Sequence, residues 1–249
     1  LVNAAEATCP ECGGAGWILT EDGGGRSARE CGCRKASVRR GRQAAAEIPE
    51  RYRECSFEDF RPILNNTTLI NARKVAQDFA EAFPFVDNES GLLFMGNSGV
   101  GKTHLAIAIL NYVTQEKGLT GRYVDFSDLL LRIQSTFKSD SPDSKEDLIA
   151  PYVDVELLVL DELGATKPTD FTRDMLYSLL NQRYNRRRIT VATTNYFDEP
   201  PKGEREKLED RIGYRLRSRL HEMCRTVLIE AQDYRRAVNQ AGFRPFKRG

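Results

Sequence analysis

Eight consecutive residues, Gly96-Asn97-Ser98-Gly99-Val100-Gly101-Lys102-Thr103, fit the spacing G-x-x-x-x-G-K-[ST] of a phosphate-binding loop. Glycines let the backbone wrap close to phosphate oxygens, Lys102 reaches the β- and γ-phosphates, and the Thr103 hydroxyl ligates Mg2+ where a helix begins. The apolar segment Leu92-Leu93-Phe94-Met95 ahead of the loop reads as a strand. A helix is predicted from Lys102 to Lys117, with Leu105, Ile109 and Tyr112 on one face and Gly118 at the C-terminal cap position. Strand, glycine loop and helix in that order are the setting in which this pattern binds a nucleoside triphosphate. Gly96 to Thr103 and the adjoining His104 are therefore candidate nucleotide contacts.

A second constellation supplies the rest of a hydrolytic site. Leu157-Leu158-Val159-Leu160 runs into two carboxylates, Asp161 and Glu162. Triphosphate hydrolysis needs both: Asp161 to hold Mg2+, directly or through water, and Glu162 to position or deprotonate the attacking water. The later apolar run Ile189–Thr194 ends at Asn195. That residue senses the γ-phosphate if the strands are neighbours, and otherwise opens a turn before Pro200-Pro201. A helix predicted over Glu204–Leu220 carries Leu208, Ile212, Leu216 and Leu220 on one stripe, with Arg211, Arg215 and Arg219 beside them. Such a row is either a solvated face or a source of charge for a neighbouring subunit's γ-phosphate.

Near the N-terminus, Cys9-Pro-Glu-Cys12 and Cys31-Gly-Cys33 bracket a glycine-rich stretch. Two close pairs of thiolates can complete a tetrahedral Zn2+ site through Cys9, Cys12, Cys31 and Cys33. A redox pair, a disulfide framework and unligated thiols are the alternatives, and disulfides suit a cytosolic protein poorly. So small a segment has little core, and a metal would supply the folding energy that burial cannot. Cys55 and Cys224, without partner spacing, read as small buried apolar residues.

These residues need a scaffold. With 249 residues and 40% apolar content, the chain holds one full-sized domain and a small appendage. The division reads as a cysteine-rich zinc-binding domain and basic connector over 1–46, and an ATPase domain over 47–249. The connector is a predicted helix from Arg34 to Glu47. Beyond it comes a helix from Thr68 to Phe83, stopped by Pro84. Strands are predicted at Gly91–Met95, Arg122–Phe126, Glu156–Asp161, Ile189–Thr194 and Thr226–Glu230. Helices alternating with strands signal a mostly parallel sheet. No apolar run approaches the roughly eighteen residues of a membrane span, and no basic-then-apolar leader opens the chain. The cytoplasm is the expected compartment, with no membrane partner. Because residue 1 is Leu, further residues are expected ahead of it. The net charge of +1 hides two basic clusters, seven Lys/Arg over Arg34–Arg53 and four over Arg183–Arg188, which are solvated helix faces or phosphate contacts.

The strings G-N-S-G-V-G-K-T-H-L-A from Gly96, L-L-V-L-D-E-L-G from Leu157, T-T-N from Thr193 and R-L-R-S-R-L from Arg215 occur in this order. Over about Ile48 to Arg236 the chain resembles the AAA+ ATPases of the DnaC/DnaI helicase-loader group and the related IstB transposition ATPases. The resemblance implies an AAA+ P-loop α/β fold, a five-stranded parallel sheet flanked by helices in strand order 5-1-4-3-2. It implies that the string from Ile48 to Phe60 helps hold adenine, that Arg219 is an arginine finger and that Arg215 is its companion. The insertion Ser127–Tyr152, read as two helices, resembles one that contacts single-stranded DNA, with Phe137 and Lys138 at the first helix's end and Thr169 and Phe171 as a second contact segment. Phe137 equally continues the core stripe of Leu130 and Ile133. No lid with a separate sensor arginine is visible, which implies weak ATP hydrolysis stimulated by DNA or assembly. The cysteine segment resembles the zinc-binding, helicase-contacting domains of DnaI-like loaders. The implied activity is ATP-dependent loading of a hexameric DnaB-type replicative helicase onto single-stranded DNA in replication initiation or restart. ATP, Mg2+ and Zn2+ are the implied cofactors, and a homo-oligomer is the implied ATP state. The alternative is an IstB-like ATPase that binds duplex DNA and regulates a transposase. A metabolic kinase would need a phosphoryl-acceptor pocket, for which the sequence offers no residues.

Overall fold

The computed structural model describes residues 9–22, 25–62, 65–86, 90–136, 145–200 and 206–236. Two short strands, β1 (Trp17–Asp22) and β2 (Gly25–Glu30), pair antiparallel ahead of helix α1 (Gly32–Ala45). The main sheet contains β3 (Gly91–Gly96), β4 (Gly121–Asp125), β5 (Leu157–Asp161), β6 (Ile189–Thr194) and β7 (Cys224–Ile229). All neighbours run parallel in the order β4-β5-β6-β3-β7. Numbered within this sheet, that is the order 5-1-4-3-2 that the resemblance implied. Every residue of β3, β5 and β6 is buried, as central parallel strands with helices on both faces require.

The helices are α2 (Thr67–Ala82), α3 (Lys102–Gln115), α4 (Phe126–Thr136), α5 (Lys145–Asp154), α6 (Asp170–Asn185), α7 (Leu208–Ile212) and α8 (Tyr214–Met223). α2 begins where the Asn66 side chain accepts from Leu69 N, and packs Leu69, Ala72, Ala76 and Phe79 into the core shared with α3. The second core lies on the opposite face, beneath α4, α5, α6, α7 and α8. Most boundaries fall within about two residues of those expected, the ordinary uncertainty of helix and strand ends.

Two expectations need correction, and one element is new. The single helix over Glu204–Leu220 is two among the described residues, broken at Gly213, whose φ of 88° lies in the left-handed region that favours glycine. The β1–β2 hairpin between the cysteine pairs was not anticipated. The basic cluster at Arg183–Arg188 is not one solvated face. Arg183 is fully buried and donates to the carbonyls of Tyr152, Val153, Val155 and Ile189 and to the Thr190 hydroxyl.

The N-terminal connector is built onto the sheet. Arg39 on α1 donates to Gln115 on α3, and the Ala46 carbonyl accepts from the Tyr123 amide of β4 at 2.8 Å. Glu47, at a φ of 54°, accepts from Tyr152 and faces Arg122. The connector's end is thereby fixed along the β4 edge.

Candidate nucleotide and metal sites

The parallel sheet delivers the phosphate loop from the C-terminal end of β3 to the first turn of α3. Gly99 and Gly101 sit at φ 80° and 99°, conformations that L side chains rarely adopt. A Cβ on Gly101 would also lie 2.5 Å from Phe60, so glycine lets this aromatic ring approach the loop. A cavity of about 330 Å³ lies beside the loop, walled by Tyr52, Phe60, Leu69, Glu162 and Asn195. The lead-in segment around Ile48–Phe60 is tied to α3. His104 Nε2 lies 2.8 Å from the Ser56 carbonyl oxygen, its ring centroid is 5.6 Å from that of Phe60, and Asn111 donates to the carbonyls of Arg53 and Cys55.

Lys102 is 6% exposed, and its Nζ donates to Gly96 O at 2.8 Å, Asn97 O at 2.7 Å and Asn195 Oδ1 at 2.7 Å. Burial pushes its ammonium down to about 8, against the opposing pull of Asp161 and Glu162. Asn195 and the loop are neighbours because β6 lies directly beside β3.

Asp161, 3% exposed at the end of β5, accepts from Thr103 Oγ1 at 3.0 and 3.2 Å, one distance to each carboxylate oxygen. Tyr123 of β4 donates to Oδ2 at 2.9 Å and Thr193 of β6 donates to Oδ1. Burial first, and then the Asp161 charge, push the Tyr123 phenol well above its ordinary value. A hydroxyl and a buried carboxylate meeting at the loop's end are the hard oxygen donors that suit Mg2+. Glu162 follows at a φ of 56°, its amide held by Thr193 Oγ1 at 3.1 Å while its side chain reaches solvent. Partial desolvation, then the carboxylates of Asp125 and Asp161, raise its pKa, which favours a group that must accept a proton.

The arginines are arranged differently from one another. Arg211 donates to the carbonyls of Gly164, Ala165 and Thr166, so it holds the turn after Glu162. Arg215 is exposed, and the Arg219 guanidinium lies 4.0 Å from the Tyr184 ring centroid. Neither lines the cavity. Arg217, overlooked in the sequence, is 3% exposed and paired with Asp198. Thr169 caps the N-terminus of α6, and Phe171 packs against the second core. Phe137 and Lys138 lie outside the described residues.

Sequence reasoning also missed the segment after β7. Tyr234 N donates to Gly99 O at 3.0 Å, Arg235 donates to Ser98 Oγ at 2.9 Å, and a Cβ on Gly99 would overlap the Asp233 carboxylate. No spacing marks these residues; only the β3–β7 pairing brings them onto the loop.

The four N-terminal sulfurs lie within 4.8 Å of one another. Cys9 and Cys31 are 3.7 Å apart and Cys12 and Cys33 3.3 Å, too long for S–S bonds and close to the edges of a tetrahedron of Zn–S bonds. The hydrogen bond between Cys12 and Cys33 pulls the first thiol down to about 7 and pushes the second up to about 12. The donor set fits Zn2+. Cys224 is buried as expected, whereas Cys55 is half-buried against the first core. No helix among the described residues is long and apolar enough to cross a membrane.

Comparison with known proteins agrees with this geometry. The family model described as IstB-like ATP binding protein matches residues 29–241. The replicative helicase loader DnaC of Buchnera aphidicola subsp. Schizaphis graminum is 29% identical over 170 residues, 68% of this chain and 66% of that protein. The replicative helicase loader DnaC of Escherichia coli (strain K12) is 29% identical over 162 residues, 65% of this chain and 64% of that protein. The match therefore spans just under two thirds of those relatives' own lengths. Among solved structures, the DnaC helicase loader superposes with a TM-score of 0.63 at 28% identity, covering 73% of this chain and all of that one.

Proposed function

The chain belongs to the family of IstB-like ATP-binding proteins, and from that premise we propose that it is an ATP-switched loader of a replicative helicase. In this reading it holds a hexameric DnaB-type ring through the N-terminal segment and delivers it to single-stranded DNA in the cytoplasm. The observation that carries the proposal is an ATP-type site and a four-cysteine knuckle joined by a helix docked on α3. Similarity to DnaC loaders supports it.

Each site residue has one task. The loop Gly96–Thr103 with Lys102 grips the phosphates, and Thr103 and Asp161 hold Mg2+. Glu162 readies water, and Asn195 reports the γ-phosphate. Arg219, with Arg215 beside it, completes a neighbour's site, which is why neither needs to line its own cavity. Hydrolysis is slow until assembly, alone or promoted by DNA, brings that arginine to the site. Phe137, Lys138, Thr169 and Phe171 are the DNA contacts of this reading, and its functional division falls at 46/47.

Transposase regulation is the second reading, favoured by the family's description but not by the cysteine knuckle. The test is direct capture of two purified candidates, the same organism's hexameric replicative helicase and any transposase encoded beside the gene. ATP-dependent capture of the helicase, lost on deleting residues 1–46, is expected. Capture of the transposase alone would overturn the loader reading.

A further inference from the structure

Asp161 is held from both sides. Its strand, β5, lies between β4 and β6; the parallel register pairs Asp161 with Asp125 and Val159 with Tyr123, so the Tyr123 hydroxyl reaches the carboxylate from two residues back along β4, while Thr193 on β6 follows Ala192, the partner of Leu160. Thr103 bridges the two carboxylate oxygens, and each oxygen has one further donor: Thr193 on Oδ1 and Tyr123 on Oδ2, the latter at 2.9 Å. An ion ligated by Thr103 takes that hydroxyl's lone pair and turns its proton, so the bridging contact is the one that must rearrange. The two flanking donors can stay.

We infer that Tyr123 is a positioning residue for the magnesium site, clamping Asp161 Oδ2 as Thr193 clamps Oδ1, so that the carboxylate meets the ion in one orientation. Tyr123 is itself anchored at both ends: its side chain is 6% exposed, and its amide donates to Ala46 O at 2.8 Å. The same residue thus touches the end of the N-terminal connector and the metal carboxylate. A hydrogen bond to a charged acceptor in a buried site is the strong kind, and losing it leaves Oδ2 without its flanking donor, so the carboxylate is fixed on the Thr193 side alone. The inference rests on the magnesium-ATP reading of this site, and its test separates the two.

The test is the affinity for a fluorescent ATP analogue, measured in EDTA and across a series of free Mg2+ concentrations, for the wild type and Tyr123→Phe. Electron paramagnetic resonance of Mn2+ in the same complexes reads the metal's environment without turnover. Tyr123→Phe should bind the analogue normally in EDTA, and its Mg2+ midpoint should rise about tenfold. The Mn2+ signal should broaden as the site loosens. Equal midpoints for wild type and variant would overturn the inference while leaving magnesium binding intact. Equal weakening with and without Mg2+ would also overturn it, because that is a packing defect. If the wild type gains nothing from Mg2+, the magnesium reading falls and this inference with it. Should Tyr123→Phe fail to fold, the same titration on Thr193→Val, with Thr193→Ser as the rescue, decides: a Mg2+-selective loss supports the clamp, and none refutes it.

Discussion

Lys102 on the phosphate loop donates to Asn195, the residue just past the end of the neighbouring strand β6, across 2.7 Å, so the residue proposed to grip phosphate and the residue proposed to sense it are in contact. An arriving γ-phosphate competes for the same ammonium protons. On the proposed reading Asn195 is then released to report the nucleotide, which is what a switch requires.

The buried ammonium makes ATP binding pH-dependent. In the free protein Lys102 is pushed down to about 8 by burial, and bound phosphates raise it again. Below pH 8 the lysine is charged before and after binding, so affinity is flat. Above it, binding must recover a proton, and affinity falls by up to about tenfold per pH unit. Calorimetry at pH 9 in two buffers of different ionisation enthalpy should show proton uptake; affinity constant from pH 7 to 9.5 would contradict the assignment.

Arg219, stacked on Tyr184 away from the cavity, is expected to act on a neighbouring subunit. Arg219→Ala should bind ATP near-normally yet hydrolyse it about a hundredfold more slowly or worse. Mixing with Lys102→Ala, whose Arg219 is intact, should restore part of the rate. Wild-type turnover by Arg219→Ala alone would return this arginine to a solvated helix face.

The cysteine knuckle should carry one Zn2+ per chain. Cys12→Ser removes one of four thiolates and should release the metal and abolish helicase capture, while ATP affinity stays within about twofold. Metal analysis near zero on protein purified without chelator would refute the site.

Arg183 should prove structural. Arg183→Met keeps the volume but leaves four carbonyls and the Thr190 hydroxyl without their donor, a loss of about 3 kcal/mol or more. A lowered urea midpoint with unchanged DNA binding is expected. Unchanged stability with weakened DNA binding would place this arginine in a nucleic-acid contact instead.

The parts of the site that were legible are those whose chemistry demands a residue type at a fixed spacing. The loop Gly96–Thr103, the Asp161-Glu162 pair and the four cysteines each carry such a demand. Asn195 was legible conditionally, because its role needed β6 beside β3, and the strand order came from resemblance rather than spacing. Tyr123 was invisible, since an aromatic on a strand reads as core whether or not its hydroxyl has work. Arg183 and Arg217 sit among charged neighbours that mark a surface, and only tertiary contacts reveal them as buried. Gly213 lies within an unbroken apolar stripe, so periodicity ran through a helix break that its positive φ imposes.

The central claim is that ATP state governs delivery of a helicase ring. It is tested most directly by counting helicase hexamers transferred to covalently closed single-stranded circles, which have no end to thread. With the wild type, transfer should require ATP. Glu162→Gln should bind both ATP and the helicase but release the ring slowly, and Lys102→Ala should transfer none. Equal transfer without nucleotide, or by Lys102→Ala at the wild-type rate, would contradict the account.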